Sequence, residues 1–199
     1  RAGSDTPAGS APGAGSDTPA GSAPGAGSGI PRSLLAEARP IGRGRRFHPP
    51  PGGPPVGRCR RRLGPRTAVH VEVFAADRVV IVPAGIGIGG PWRATSGRIA
   101  AARCYGALVT LQPTGVVLVA HGARLRLADL FRAWGQPLSP LGLASFRTSA
   151  IRPVTAFVDG RRWTRPPGSV PLSNHAEIVV EIGPRVPPHR SFVFPPTPY

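Results

Sequence analysis

Residues 2–13 read AGSDTPAGSAPG, and residues 14–25 repeat that dodecad without a change. A period of twelve built from Ala, Gly, Ser, Asp, Thr and Pro buries almost nothing, so it cannot offset the entropy lost on ordering. A flexible, semi-extended spacer is expected there, with Ser and Thr beside Pro similar to an O-glycosylated stalk. Residues 39–55 return to Pro, Gly and Arg, and the run Pro49-Pro50-Pro51-Gly52-Gly53-Pro54-Pro55 favours polyproline II followed by loop. Between these tracts only Ile30–Ala38 suggests a short helix, with Ser33 as its cap and Pro40 as its stop. Folding is thereby confined to the rest of the chain. Residues 1–55 are expected to be a disordered tail or stalk, and residues 56–199 one domain.

Charge constrains function less than its size suggests. The chain carries a net charge of +16 with a pI near 11.9 and has no Met. All 25 basic residues are Arg. Guanidinium forks grip phosphate bidentately, which admits a polyanion or nucleic-acid binder. A GC-rich genome gives the same result, because the codons of Arg, Gly, Pro and Ala are GC-rich and those of Lys and Met are not. Nor is the charge focused. Residues 1–67 hold 11 Arg against 3 acids and residues 68–199 hold 14 against 6, so both parts come to +8. Only residues 57–66 cluster Arg, without the interleaved aromatics of a nucleic-acid platform. Nucleic acid is therefore not the expected partner. No stretch reaches the roughly 18 to 20 apolar residues that cross a bilayer, and the opening at Arg1 suggests a processed or truncated form.

Beyond Val56 the pattern turns to short apolar runs. Ala68–Phe74 alternates, with Val69, Val71 and Val73 on one face and His70 and Glu72 on the other, and Val79–Val82 returns as its partner. Pro83–Gly90 is apolar and punctuated by glycine; lacking a following Lys-Ser or Lys-Thr, it reads as a tight backbone crossing and not as a phosphate loop. Ala107–Leu111 and Val116–Ala120 form a second hairpin around Gln112-Pro113-Thr114-Gly115. Leu127, Leu130, Phe131 and Trp134 recur at helical spacing, closed by Gly135. Val154–Val158, Arg161–Thr164 and Glu177–Ile182 supply further strands. Strands, one helix, then strands predict an α+β domain: a small mixed or antiparallel sheet with one main helix, β-grasp-like in outline.

Pro83 to Ile88, Cys104-Tyr105, Gly115-Val116-Val117, Leu127 to Gly135, Val154 to Gly160 and the Pro-rich end follow one another in an order that resembles a family of small bacterial and archaeal extracytoplasmic domains without an established enzymatic activity. In that pattern a strand carries two alternating His, and a Cys-Tyr segment leads to His-Thr-His-Asp and then Gly-Ile-Ile-His. Imidazoles alternating on facing strands would converge on one side of a sheet, as a copper or zinc site requires. Here only His70 remains. Ala68, Val109, Leu111 and Leu118 stand at the other positions. The resemblance thus implies a frame whose metal chemistry has been removed, with no cofactor expected and His70 as the residual candidate ligand.

Cys59 and Cys104 are the only cysteines, and in an extracytoplasmic chain such a pair reads as a disulfide, clamping the basic lead-in segment to the second hairpin. Neither has a His and a carboxylate at a recognisable local spacing, and no nucleophile motif is present, so an enzyme is not expected. What remains is a non-catalytic extracytoplasmic domain on a stalk, secreted or attached to the cell envelope, contributing a binding surface or accessory subunit to a larger membrane or envelope complex. Its candidate contacts are Arg58, Arg60, Arg61, Arg62 and Arg66, together with Phe192, Phe194 and Tyr199, meeting a protein partner, acidic glycans or lipid headgroups. A copper- or zinc-binding envelope protein and an Arg-driven polyanion or nucleic-acid binder are the alternatives.

Overall fold

A computed structural model describes residues 53–76, 78–95 and 98–194. The repeat, the Ile30–Ala38 pattern and Tyr199 lie outside these residues. Strand β1 (Arg66–Ala75) pairs antiparallel with β2 (Arg78–Val80). Strands β3 (Ile88–Thr95) and β4 (Arg98–Tyr105) form a separate two-stranded ribbon. The second hairpin follows as β5 (Leu108–Val109) and β6 (Val116–Ala120), leading to helix α1 (Leu127–Trp134). A small meander, β7 (Leu138–Ser139), β8 (Gly142–Leu143) and β9 (Phe146–Arg147), precedes β10 (Thr155–Val158), β11 (Arg161–Arg162) and β12 (Glu177–Ile182).

The main sheet runs β11-β10-β12-β1-β6-β5, with β2 attached to β1. Its first and last long strands, β1 and β12, lie parallel at the centre, and every other pairing in this sheet is antiparallel. Parallel neighbours require a crossover, and the segment containing α1 supplies it over one face. This is the β-grasp arrangement that the order of elements predicts.

Alternation explains which side chains meet that helix. Val69, Val71 and Val73 of β1, Ile178 and Val180 of β12, and Val117 and Val119 of β6 pack with Leu127, Leu130, Phe131 and Trp134 in one buried core. Removing each large side chain from water contributes about 1.5–3 kcal/mol. The Asp129 carboxylate accepts the Arg126 N–H at 2.8 Å to start the helix. Gly135, at φ +74°, ends it, and the N–H groups of Gly135 and Gln136 satisfy the carbonyls of Arg132 and Phe131.

The opposite face is also covered. Here Ala68, Val109 and Leu118 form a second buried cluster, joined by Leu63, Ile88, Tyr105, Leu111, Val116 and Phe194. The Gly-punctuated loop crosses beside β5: the Gly85 N–H donates to Thr110 O at 2.8 Å and the Gly106 N–H to Gly87 O at 2.9 Å. A Cβ at Gly87 would fall 2.0 Å from Leu108 O, so nothing larger than glycine fits there.

Candidate functional site

Strand β1 carries Ala68, His70 and Glu72 on the face away from α1. In parallel register β12 sets Glu177 beside His70. All three polar side chains are buried: His70 is 0 %, Glu177 1 % and Glu72 2 % exposed. An ordinary alternating strand presents its polar face to water; here that face is enclosed, and the buried charge must find partners inside.

His70 finds two. Its Nε2 lies 2.9 Å from Thr114 O and its Nδ1 2.7 Å from Glu177 Oε2. A carbonyl only accepts, so Nε2 carries a hydrogen, and Nδ1 and Oε2 share a second proton between them. Gly115 makes this approach possible. At φ +79° it has no side chain, and a Cβ there would sit 2.8 Å from His70 Nε2 and 2.6 Å from Val71 O. Burial raises the Glu177 carboxyl above its usual range, and the neighbouring Glu72 charge adds to the rise, while the hydrogen bond and charge of His70 and the charge of His189 oppose it. Glu177 Oε1 is buried without a hydrogen-bond partner.

The C-terminal segment closes this face. The Val186 N–H donates to Glu181 Oε2 at 3.1 Å, and His189 Nδ1 lies 2.7 Å from Glu72 Oε2. Further along, Phe192 stacks on His70 and Phe194 on His175, with centroids 3.8 and 4.7 Å apart, and Val193 between them points outward. The rings expected to serve as partner contacts are therefore engaged within the molecule, because they cover the polar face of β1 and the apolar cluster beside it. Tyr199 lies outside the described residues.

The four positions where the resemblance implies imidazole do converge. Ala68, Val109 and Leu118 are buried together, and Leu111 packs against them. Aliphatic side chains fill that space, so the His-rich centre cannot form from these residues. His70, the residual candidate, instead gains partners that its sequence neighbourhood conceals. His70, Glu72 and Glu177 each place a potential ligand atom within 4.8 Å of the others. His189, given no role by the sequence pattern, reaches the same group through Glu72.

A second region lies at the disulfide. Cys59 and Cys104 are bonded, as expected from the sequence. Cys104 belongs to β4, so the bond fastens the lead-in segment to the end of the ribbon and not to the second hairpin. The Arg60–Tyr105 bridge continues the same attachment. Beside it a groove of about 560 Å³ is lined by Arg58, Arg60, Arg62, Arg66, Gly106 and His121, among others, with no carboxylate in its wall. It adjoins a second depression, lined in part by Arg124 and Arg126, through a shared wall of residues 120–123. Arg58, Arg60 and Arg62 are exposed. Arg61 is exposed but does not line the groove.

Arg66 has a different task. Its Nε and Nη2 donate to Leu63 O and Gly106 O at 2.9 and 2.8 Å, holding the lead-in segment against the hairpin, and burial lowers its pKa. Among the described residues Arg132, bound to Asp129, is the only arginine within salt-bridge distance of a carboxylate. Glu72, Glu177 and Glu181 are enclosed by the sheet and its C-terminal cover. Among the described residues the surface therefore keeps its positive charge largely unneutralised.

No protein-family model, curated protein or solved structure matches this chain. No helix among the described residues is long and apolar enough to cross a membrane.

Proposed function

We propose that this chain is a non-catalytic extracytoplasmic binding domain, an accessory element of a larger envelope assembly, which meets an acidic glycan or phosphate-bearing surface through the arginine groove at its disulfide. The single observation carrying this reading is the groove itself: Arg58, Arg60 and Arg62 project beside a structurally held Arg66, and no acid lines the wall. Guanidinium groups in such a setting attract phosphate and sulfate oxygens through charge-assisted, often bidentate hydrogen bonds. The disulfide supports an oxidising compartment, and the repeat supports a tether that gives the domain reach.

Binding of the full chain to vesicles of anionic and of neutral phospholipid, and to immobilised heparin, tests this reading across a salt series. Binding to at least one anionic surface near physiological ionic strength, weakening steeply with salt, is expected. Failure to bind any anionic surface even at low salt overturns it.

A further inference from the structure

We propose that His70, Glu72, Glu177 and His189 form a site for a divalent transition-metal ion of the zinc type, separate from the arginine groove and sharing only His70 with the ligand set the sequence pattern implies. The inference does not rest on polyanion binding.

Four observations support it. First, the ligand atoms of His70, Glu72 and Glu177 already lie within 4.8 Å of one another, and His189 Nδ1 is 2.7 Å from Glu72 Oε2. In a tetrahedral site with bonds of about 2.0–2.1 Å, donor atoms stand about 3.4 Å apart, so adjustments on the order of an ångström would bring the three buried groups into range, with His189 tied to them through Glu72.

Second, the ring orientation of His70 suits a ligand. Its Nε2–H donates to the Thr114 carbonyl at 2.9 Å, which leaves Nδ1, facing Glu177 Oε2, as the coordinating nitrogen once an ion displaces the proton the two share. Metal-binding imidazoles are held in this way, by an outer hydrogen bond that fixes the tautomer.

Third, Glu177 Oε1 is buried and has no hydrogen-bond partner, although Oε2 of the same carboxyl is paired. A carboxylate oxygen enclosed without a donor has lost its hydration and gained nothing in return, and a cation would remove that cost.

Fourth, the charges fit. Two buried carboxylates braced by two imidazoles reach neutrality with two protons or with one divalent ion, and the ion competes for the lone pairs the protons hold. Two nitrogens and two carboxylate oxygens suit zinc and its neighbours better than soft Cu(I), and the chain offers no thioether or free thiolate. His189, whose side chain is 59 % exposed, is the most exposed member of the set, while Phe192 roofs the His70 ring.

Calorimetric titration of the chelator-treated full chain with Zn²⁺ at two pH values tests the site, with Co²⁺ as a spectroscopic probe. One equivalent should bind with proton release, more weakly at the lower pH, and Co²⁺ should give visible absorption of tetrahedral type. Glu177→Gln should abolish binding. His189→Ala, at a mostly exposed side chain, should weaken it at least about tenfold while the fold is retained. The proposal fails if no stoichiometric binding occurs, or if folded His189→Ala and Glu177→Gln bind as the parent does.

Discussion

Phe192 lies flat on His70, with ring centroids 3.8 Å apart and planes inclined by only 11°. The C-terminal segment is thus a working layer of the fold, since the same stretch reaches Glu181 through Val186, Glu72 through His189 and His175 through Phe194. Phe192→Ala should lower stability by about 1–2 kcal/mol, less than a fully buried phenylalanine, because the ring is only partly buried. Chemical denaturation measures the loss. Amide exchange at residues 186–194 should accelerate in the same variant.

Backbone crossings are the least tolerant points. Gly87→Ala would drive a Cβ to 2.0 Å from Leu108 O at φ +72°, so a loss of about 3 kcal/mol or more is expected. Gly115→Ala should be milder in stability but specific in effect, displacing the His70 ring; an altered His70 NMR shift would report it.

Reduction tests the pin between the lead-in segment and the ribbon. Cys59 and Cys104 are 45 residues apart, and closing a loop of that length restricts the unfolded chain by about 4 kcal/mol. Cys59→Ser with Cys104→Ser should lower the denaturation midpoint accordingly. Equal midpoints for the oxidised and reduced protein would contradict this.

Glu181 sets a pH dependence of definite sign. Burial raises its carboxyl above the usual range, against the opposing Val186 N–H, Arg185 and Arg162. In the window between the unfolded and the raised folded value the native state holds the proton more firmly, so this group's contribution to stability falls as pH rises through that window. Relative to Glu181→Gln, the parent should lose stability with increasing pH over that interval. A parallel pair of stability curves would refute it.

Much of the frame was legible in the sequence. Leu127, Leu130, Phe131 and Trp134 announce α1, and Gly135 marks its end, because helical spacing and a left-handed cap are local properties. Glu177–Ile182 was readable as a strand for the same reason. The β3–β4 ribbon was not, since most of its side chains are exposed and carry no apolar alternation. Neither was the meander of β7, β8 and β9, each only two residues long. The polar cluster was half legible. Glu72 follows His70 at the same-face interval of a strand, but Glu177 is 107 residues from His70 and His189 is 117 from Glu72, so only the parallel register of β1 with β12 and the return of the C-terminal segment bring them together.

A site and a merely cationic surface differ in whether position matters. Arg58, Arg60 and Arg62 line the groove, whereas Arg161, Arg162 and Arg165 are exposed on and just beyond β11, the edge strand opposite β5. Reversing either trio to Glu changes net charge equally, so the decisive measurement is the affinity of both variants for the anionic surface that the parent binds, at fixed ionic strength. The groove variant should lose binding by at least about a hundredfold, and the β11 variant should stay within about tenfold of the parent. Equal losses in both would reduce the interaction to bulk charge and contradict the assignment of the groove.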